Sequence, residues 1–349
     1  MMVPSAAVVT GALAAELLES YHHLWEVAPY ADRNPASQPI SLERAHFPLL
    51  QSRDYVVSDK SDGVRFVLYL ARAGGQEMAV MVDRKLKLYQ VPVAAARSNF
   101  KGSIFDGELV AIQGAHIFLI FDVVAHKGSN AIAKKPLTRR LELIRAIFDL
   151  DGPSPVTSPE AAAEQARAGK IVCGGSAHGL SFRPKPCFQL QQLDTLLRRL
   201  PTLPYAVDGL IFTPVDDPVR AGGHETLLKL KWRHSVDVEV GDTGELLVGI
   251  GGAPATAVLR TPLTALCVPF ELEPPLQASL PQLLGRIIEL ALTLTPEGGL
   301  RLAMLGQRSD KAHPNSASTV LRTVKNLREN IQPQELLQLF ARPSEASVA

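Results

Sequence analysis

From Tyr55 to Val124 the chain is a succession of short strand-like runs, each ended by polar or glycine-containing residues. The first break falls between Tyr55-Val56-Val57 and the alternating run Phe66 to Leu70, and it reads Lys60-Ser61-Asp62-Gly63-Val64-Arg65. The pattern predicts two strands joined by a turn. Gly63 lets the backbone approach a ligand closely or take positive φ. A lysine amine, a carboxylate and a guanidinium are then expected around one pocket. An amine held there can attack a nucleotide α-phosphate if neighbouring cations or desolvation lower its pKa. A hairpin with a solvated, charged turn fits the same six residues, so the motif decides nothing alone.

With 349 residues the chain has room for two domains, each burying its own core. Lys and Arg total 36 against 35 Asp and Glu, so there is no global basic field, and contact with RNA requires a local cationic groove. Cys173, Cys187 and Cys267 are far apart and form no C-x-x-C pair, which fits a reducing compartment and supports neither a disulfide framework nor a zinc site. The alanine-rich start lacks the cationic and apolar blocks of a signal peptide; a disordered stretch over Met1 to Ala15 is expected to run into a helix through Leu24. No segment approaches the roughly 20 apolar residues that span a bilayer, so a soluble, intracellular protein is expected.

Pro136 opens a helical pattern over Leu137 to Leu150, with Leu141, Ile144, Ile147 and Phe148 on one face and Arg139, Arg140 and Glu142 on the other. Asp151 to Gly179 is rich in Pro, Ala, Gly and Ser and reads as a surface insertion with a short helix at Glu160 to Arg167. Strands are expected again at Gly179 to Phe188, Ala206 to Pro214 and Thr226 to Trp232. A series of short ones follows at Val236 to Val240, Leu246 to Ile250, Ala257 to Leu259, Leu266 to Phe270, Arg286 to Leu294 and Leu300 to Leu305. Such spacing suggests a small barrel. Helices are expected at Ser316 to Asn330 and Pro333 to Phe340, and the domain boundary near Arg233 to Val236, where a cleft favours a ligand.

Five further islands follow Lys60. Asp106-Gly107-Glu108-Leu109-Val110 sets two carboxylates beside a glycine at a strand start, as a hairpin turn would. His116 to Val124 is an apolar strand whose Phe121 is either a core residue or a ring for a base to stack on. Val207-Asp208-Gly209-Leu210-Ile211-Phe212 repeats the carboxylate-glycine-strand arrangement. In Leu228-Lys229-Leu230-Lys231-Trp232, alternation puts Lys229 and Lys231 on one face, where a phosphate between them would relieve their repulsion. The last island, Gln307 to Asn315, is a cationic loop before a helix that Asn315 or Ser316 caps.

In this order the islands resemble the covalent nucleotidyltransferase superfamily, and most closely the messenger-RNA capping enzymes, over Pro39 to Ile331. Arg308-x-Asp310-Lys311-x-x-Pro314-Asn315 and the junction Ser235-Val236-Asp237-Val238 lean toward capping enzymes and away from ATP-dependent ligases. The resemblance implies an α+β fold: an ATP-grasp-like nucleotidyltransferase domain of antiparallel sheets and helices over residues 1–233, with the insertion at 151–179, an OB-fold β-barrel lid over 234–315, and C-terminal helices over 316–349. It implies RNA guanylyltransferase activity with GTP as substrate and Mg2+ or Mn2+ as cofactor. Lys60 would carry GMP as a phosphoramidate and pass it to the 5′-diphosphate end of RNA.

By motif position the resemblance assigns Arg65 and Glu108 to the ribose, Phe121 to the guanine face and Lys185, in Phe182-Arg183-Pro184-Lys185-Pro186, to the guanine O6. A surface lysine in a proline-flanked edge strand is the alternative for Lys185. Asp208 would serve the metal or the proton transfer, with Glu108 as a second metal candidate. Lys229 and Lys231 would bind the α-phosphate and lower the pKa of Lys60 from about 10.4. Arg308 and Lys311 would meet the β and γ phosphates on closure, and Asp310 belongs to the same motif.

The chain departs from the family at Gly306, where a second arginine usually stands two places before the one at Arg308; Arg301 is the candidate substitute. The short segment before Lys60 and the lack of a following methyltransferase suggest a stand-alone enzyme. Partners would be an RNA triphosphatase, a cap methyltransferase and the phosphorylated tail of RNA polymerase, with no membrane. Localisation would be nuclear for a cellular eukaryotic protein, or cytoplasmic or virion-associated for a viral one. The competing readings are an ATP-dependent DNA or RNA ligase, which would adenylate Lys60, and a non-catalytic RNA-binding relative.

Overall fold

The computed structural model describes residues 6–29, 33–148, 158–173, 179–250, 259–309 and 311–340. Two compact units result. The first is built from the chain up to Ile40 with Pro48–Lys229, the second from Ser41–Phe47 with Leu230–Leu339. Among the described residues no helix is long and apolar enough to cross a membrane.

The first unit carries a seven-stranded sheet. Its order is β1 (Val8–Val9), β6 (Leu88–Gln90), β5 (Gln76–Val82), β4 (Val64–Ala73), β8 (Ser103–Ile112), β9 (Ala115–Ala125) and β11 (Leu180–Pro184). All neighbours are antiparallel except β9 and β11, which run parallel. Both faces are covered, which explains the nearly unbroken apolar run of β4. Phe66, Leu68 and Leu70 face a core completed by α3 (Leu137–Ile147), while Val67, Tyr69 and Ala71 face one completed by α1 (Gly11–Leu24) through Leu17 and Tyr21.

A five-stranded sheet follows the order β12 (Phe188–Gln189), β3 (Tyr55–Ser61), β13 (Val207–Pro214), β14 (Gly223–Lys231) and β2 (Gln38–Ser41). A two-stranded ladder joins β7 (Val93–Ala94) to β10 (Val172–Cys173). Among the described residues the short α-helices α2 (Phe47–Ser52), α4 (Pro159–Arg167) and α5 (Leu193–Arg199) also occur. The sequence pattern does not predict the last, because Leu193 to Arg199 is too short to show a clear helical period.

The strands flanking the lysine motif do not pair with each other. β3 lies in the five-stranded sheet and β4 in the seven-stranded one, so Asp62-Gly63 is a crossing between sheets and the hairpin alternative is excluded. Lys60 sits within β3 rather than in a turn, and Asp62 is exposed. Gly63 has no positive φ. A Cβ there would lie 2.3 Å from the Leu109 carbonyl oxygen and 3.0 Å from Glu108 Cγ, so the glycine serves backbone approach to β8. Gly63→Ala is expected to cost about 1–3 kcal/mol through overpacking, read as a lower urea midpoint.

Three other expectations change. Val8 and Val9 pair with β6, so the ordered chain begins well before Ala15. Arg140 is on the buried side of α3 at 2 % exposure, where its Nε donates to Asp122 Oδ1 at 2.7 Å and its Nη1 to the carbonyls of Lys135 and Asp217. The carboxylate makes a buried position tolerable for the charge. In the expected surface insertion, Ile171 and Cys173 join the main core, and Val172–Cys173 is a strand rather than loop.

The second unit has a six-stranded sheet in the order β17 (Arg260–Pro262), β16 (Leu246–Gly249), β15 (His234–Val240), β19 (Ile287–Leu294), β20 (Leu300–Gln307) and β18 (Phe270–Leu272). This is compatible with the expected small β-fold. The strand expected at Leu266 to Phe270 is instead a helical turn over Leu263–Leu266, ended by Cys267 at φ 55°, and β18 begins only at Phe270. The strand expected at Ala257 to Leu259 falls largely outside the described residues. Helix α6 (Pro274–Ser279), which the sequence reading does not anticipate, opens on a proline, a helix-start signal.

Helix α7 (Ala317–Glu329) is capped by the Ser316 side chain and buries Val320 and Val324 in the core of this unit. It is followed by α8 (Pro333–Phe340). Both helices tie down the segment 41–47: Arg44 pairs with Glu335, Lys325 with Glu43, and Asn326 Nδ2 donates to the Leu42 carbonyl at 3.0 Å.

Candidate active site

Two β-bulges shape the site in the first unit. Along β3 and β13, Ser61 pairs with Val207 and Lys60 with Gly209, which leaves Asp208 as the extra residue. Along β8 and β9, Asp106 pairs with Asp122 and Gly107 with Ile120, which leaves Phe121 extra. A bulge re-aims the side chain it displaces. Gly107, opposite the second bulge, has no room for a side chain, since a Cβ would lie 2.6 Å from both the Leu119 carbonyl oxygen and the Phe118 ring.

The bulged Asp208 receives the Lys60 ammonium. Nζ donates to Oδ1 at 2.6 Å and to Oδ2 at 2.8 Å, with the two side chains 22 % and 26 % exposed. The pair is thus reachable from solvent. Lys229 stands on β14, next to β13, so Lys60, Asp208 and Lys229 occupy three adjacent strands. Lys231 ends the same strand and falls in the second unit.

Arg65 and Glu108 are register partners on β4 and β8. The Arg65 guanidinium grips Asp106 through Nε at 3.0 Å and Nη2 at 2.5 Å, and Nη1 donates to the Ser37 carbonyl at 2.5 Å. Its carbon lies 5.5 Å from the Phe121 ring centroid, a cation–π distance. Burial works against the Arg65 charge, yet Asp106 outweighs it and holds the guanidinium more firmly protonated than usual. Burial also pushes the Glu108 carboxyl up, and the cations of Lys185, Arg65 and Lys60 act against that rise. Those opposing pulls mark Glu108 as lying in the field of the same cations.

Lys185 is buried at 5 % exposure, which excludes a surface lysine. Its backbone N–H donates to the Ile120 carbonyl at 2.7 Å, continuing the β9–β11 ladder. Its Nζ crosses to the other sheet, donating to Ser61 Oγ at 2.8 Å and lying 3.3 Å from Asp59 Oδ2. The first unit therefore gathers Lys60, Arg65, Glu108, Phe121, Lys185 and Asp208 at the facing ends of its two main sheets.

Arg308 and Lys311 belong to the second unit. Arg308 Nη1 lies 3.0 Å from Asp237 Oδ1 and 3.3 Å from Glu289 Oε2, and Lys311 Nζ lies 3.5 Å from Asp237 Oδ2. Asn315 does not cap α7; its Oδ1 accepts from the Asp237 N–H at 2.9 Å. Asp310 lies outside the described residues. A cleft of ≈ 350 Å³ runs past Arg260, Arg286, Arg308 and Lys311, a local cationic surface on a chain of nearly neutral charge.

Sequence reasoning gave no role to Asp59, Asp106 or Asp237. Asp106 and Asp237 stand inside the motif islands, and a carboxylate for each motif cation is the signal the sequence offers. Among the described residues no group of three or more His, Cys, Asp or Glu side chains suits a metal.

Two sheets meet around a solvent-reachable lysine, with a second, buried lysine and a bidentate arginine in the same unit. The family profile described as mRNA capping enzyme, catalytic domain, matches residues 3–233, and the chain belongs to that family. The mRNA-capping enzyme subunit alpha of Neurospora crassa is 29 % identical over 218 residues, covering 57 % of this chain and 51 % of that protein. The Saccharomyces cerevisiae subunit alpha is 29 % identical over 225 residues, 57 % of this chain and 45 % of its own length. The Danio rerio mRNA-capping enzyme is 25 % identical over 322 residues, 88 % of this chain and 50 % of that one. The chain thus spans about half the length of the curated relatives it matches. A solved mycobacterial DNA ligase D complexed with ATP has a TM-score of 0.38 at 16 % identity, covering 80 % of this chain and 96 % of that one, a likeness too weak to inform the fold.

Proposed function

We propose that this chain is an mRNA guanylyltransferase that transfers GMP from GTP to the 5′-diphosphate end of RNA through Lys60. The observation that carries the reading is the Lys60–Asp208 pair, at 2.6 Å and open to solvent, in a member of the capping-enzyme family. An amine attacks phosphorus only as the free base, and Asp208 is the carboxylate within reach of the departing proton. The Nζ–Pα bond forms, the Pα–O bond to the β-phosphate breaks, and pyrophosphate leaves. In the second step a β-phosphate oxygen of the RNA end attacks Pα, the P–N bond breaks, and Lys60 regains a proton.

Arg65 has three of its N–H groups committed to Asp106 and Ser37, so it acts as a fixed cation with two donors left for the ribose. Phe121, displaced outward by its bulge, offers a ring for the purine, and Lys185 offers an N–H to the guanine O6. Lys229 and Lys231 bind the α-phosphate, and Arg308 and Lys311 the departing phosphates, where fixed cations stabilise developing charge. A magnesium or manganese ion held by Asp208 or Glu108 would polarise the phosphate oxygens. RNA triphosphatase activity would supply the diphosphate end, and cap methylation would follow.

The test is incubation with GTP or ATP labelled at the α-phosphate, followed by denaturing electrophoresis. The expected result is protein-bound label from GTP, discharged by pyrophosphate or by diphosphate-ended RNA. Label from ATP alone would replace this reading with a ligase.

A further inference from the structure

We infer that Asp59, with Ser61, is a positioning residue that sets which purine the site accepts, by aiming the ammonium of Lys185. The inference rests on the guanylyltransferase reading and adds to it a determinant in the strand that carries the nucleophile.

Asp59, Lys60 and Ser61 are consecutive on β3, and strand alternation turns Lys60 to one side and its two neighbours to the other. Both neighbours are buried, Asp59 at 2 % and Ser61 at 3 % exposure, and both meet Lys185. Ser61 Oγ lies 2.7 Å from Asp59 Oδ2 and 2.8 Å from Lys185 Nζ, and Tyr205 OH donates to Asp59 Oδ1 at 3.4 Å. Burial pushes the Tyr205 phenol upward, so it stays a neutral donor to this carboxylate. A buried lysine and aspartate are costly unless each is paired, and here each pairs with the other.

An ammonium has three donors. One goes to Ser61 and one faces Asp59, so the third has a direction fixed by the other two. Pointed at position 6 of a purine, it meets an acceptor in guanine and an amino donor in adenine. A site built to bond one and not the other discriminates strongly, because the wrong partner leaves a buried donor unmet. Releasing the anchor lets the ammonium turn away, and the discrimination falls while the nucleophile stays in place.

The experiment uses the full chain and four triphosphates, GTP, ITP, ATP and the triphosphate of 2,6-diaminopurine riboside, with initial rates of label transfer to protein. GTP and the diaminopurine compound share the 2-amino group and differ at position 6 and in the N1 proton that goes with it, whereas GTP and ITP differ only at position 2. Asp59→Asn is expected to shrink the preference for GTP over diaminopurine by about 10-fold or more, with the loss mainly in KM, while the preference for GTP over ITP holds. Ser61→Ala, which keeps the ion pair, is expected to shift the first ratio in the same direction by less. If Asp59→Asn fails to fold, Ser61→Ala decides the matter, and an unchanged ratio there overturns the inference. A uniform fall across all four nucleotides in a folded Asp59→Asn protein also overturns it, since that marks general damage. Absence of label in the parent protein with every nucleotide would instead sink the guanylyltransferase reading.

Discussion

Lys60→Arg is expected to abolish protein-bound GMP while leaving the fold and GTP binding intact. Arginine keeps a cation opposite Asp208, so the carboxylate retains its partner and the β3–β13 bulge has no reason to collapse. A guanidinium does not shed its proton in a protein, so the nucleophile is lost. Alanine would remove the charge as well as the nucleophile, which makes arginine the cleaner substitution. Asp208→Asn separates the second role: the amine remains, its proton acceptor does not, and label should appear about 10²–10⁴-fold more slowly. Rapid-quench sampling of label incorporation, with equilibrium dialysis for GTP, measures all three outcomes. Retention of full-rate labelling in Asp208→Asn would assign the proton to another acceptor.

Asp106→Ala should be the most damaging single change to stability in the site. The Arg65 and Asp106 side chains are only 10 % and 4 % exposed, and the aspartate supplies two of the guanidinium's partners. Removing it leaves the buried guanidinium hydrogen-bonded to the Ser37 carbonyl, with the Phe121 ring and the Glu108 carboxyl nearby. Breaking a buried pair from one side costs about 3–5 kcal/mol, a large part of the roughly 5–15 kcal/mol that holds a domain folded. Urea denaturation should therefore show a strongly lowered midpoint with little change in slope. The double substitution Arg65→Met with Asp106→Leu should recover much of the loss, because an apolar pair leaves no charge to solvate. Equal loss in the single and double variants would mean the damage comes from packing rather than from the stranded charge.

The motif islands stand out in the sequence because each joins a charged residue to a glycine or an alternating apolar run. Lys60, Arg65, Glu108, Phe121, Lys185 and Asp208 all stand in the first unit, as their order along the chain implied. Which strands pair was not legible. Tyr55–Ser61 and Val64–Ala73 look like two arms of a hairpin, and only non-local partners, β13 for one and β8 for the other, send them to different sheets. The bulges at Asp208 and Phe121 are a property of two strands in register, and one strand's sequence does not display them. The partners Asp59, Asp106 and Asp122 were hidden for the same reason. Each carboxylate meets a cation 18 to 126 positions away in sequence, whereas periodicity reports only on neighbours. Arg140 shows the limit of amphipathic reading: a charge was assigned to the wet face by type, while Asp122 had made the dry face available to it.

The most direct measurement is mass spectrometry of the protein after incubation with GTP and a divalent cation, with digestion kept neutral so that a phosphoramidate survives. The expected result is one added GMP, located by fragmentation on Lys60, lost on addition of pyrophosphate and absent from Lys60→Arg. GMP attached to any other residue, or an unmodified protein under conditions in which GTP is bound, would contradict the account.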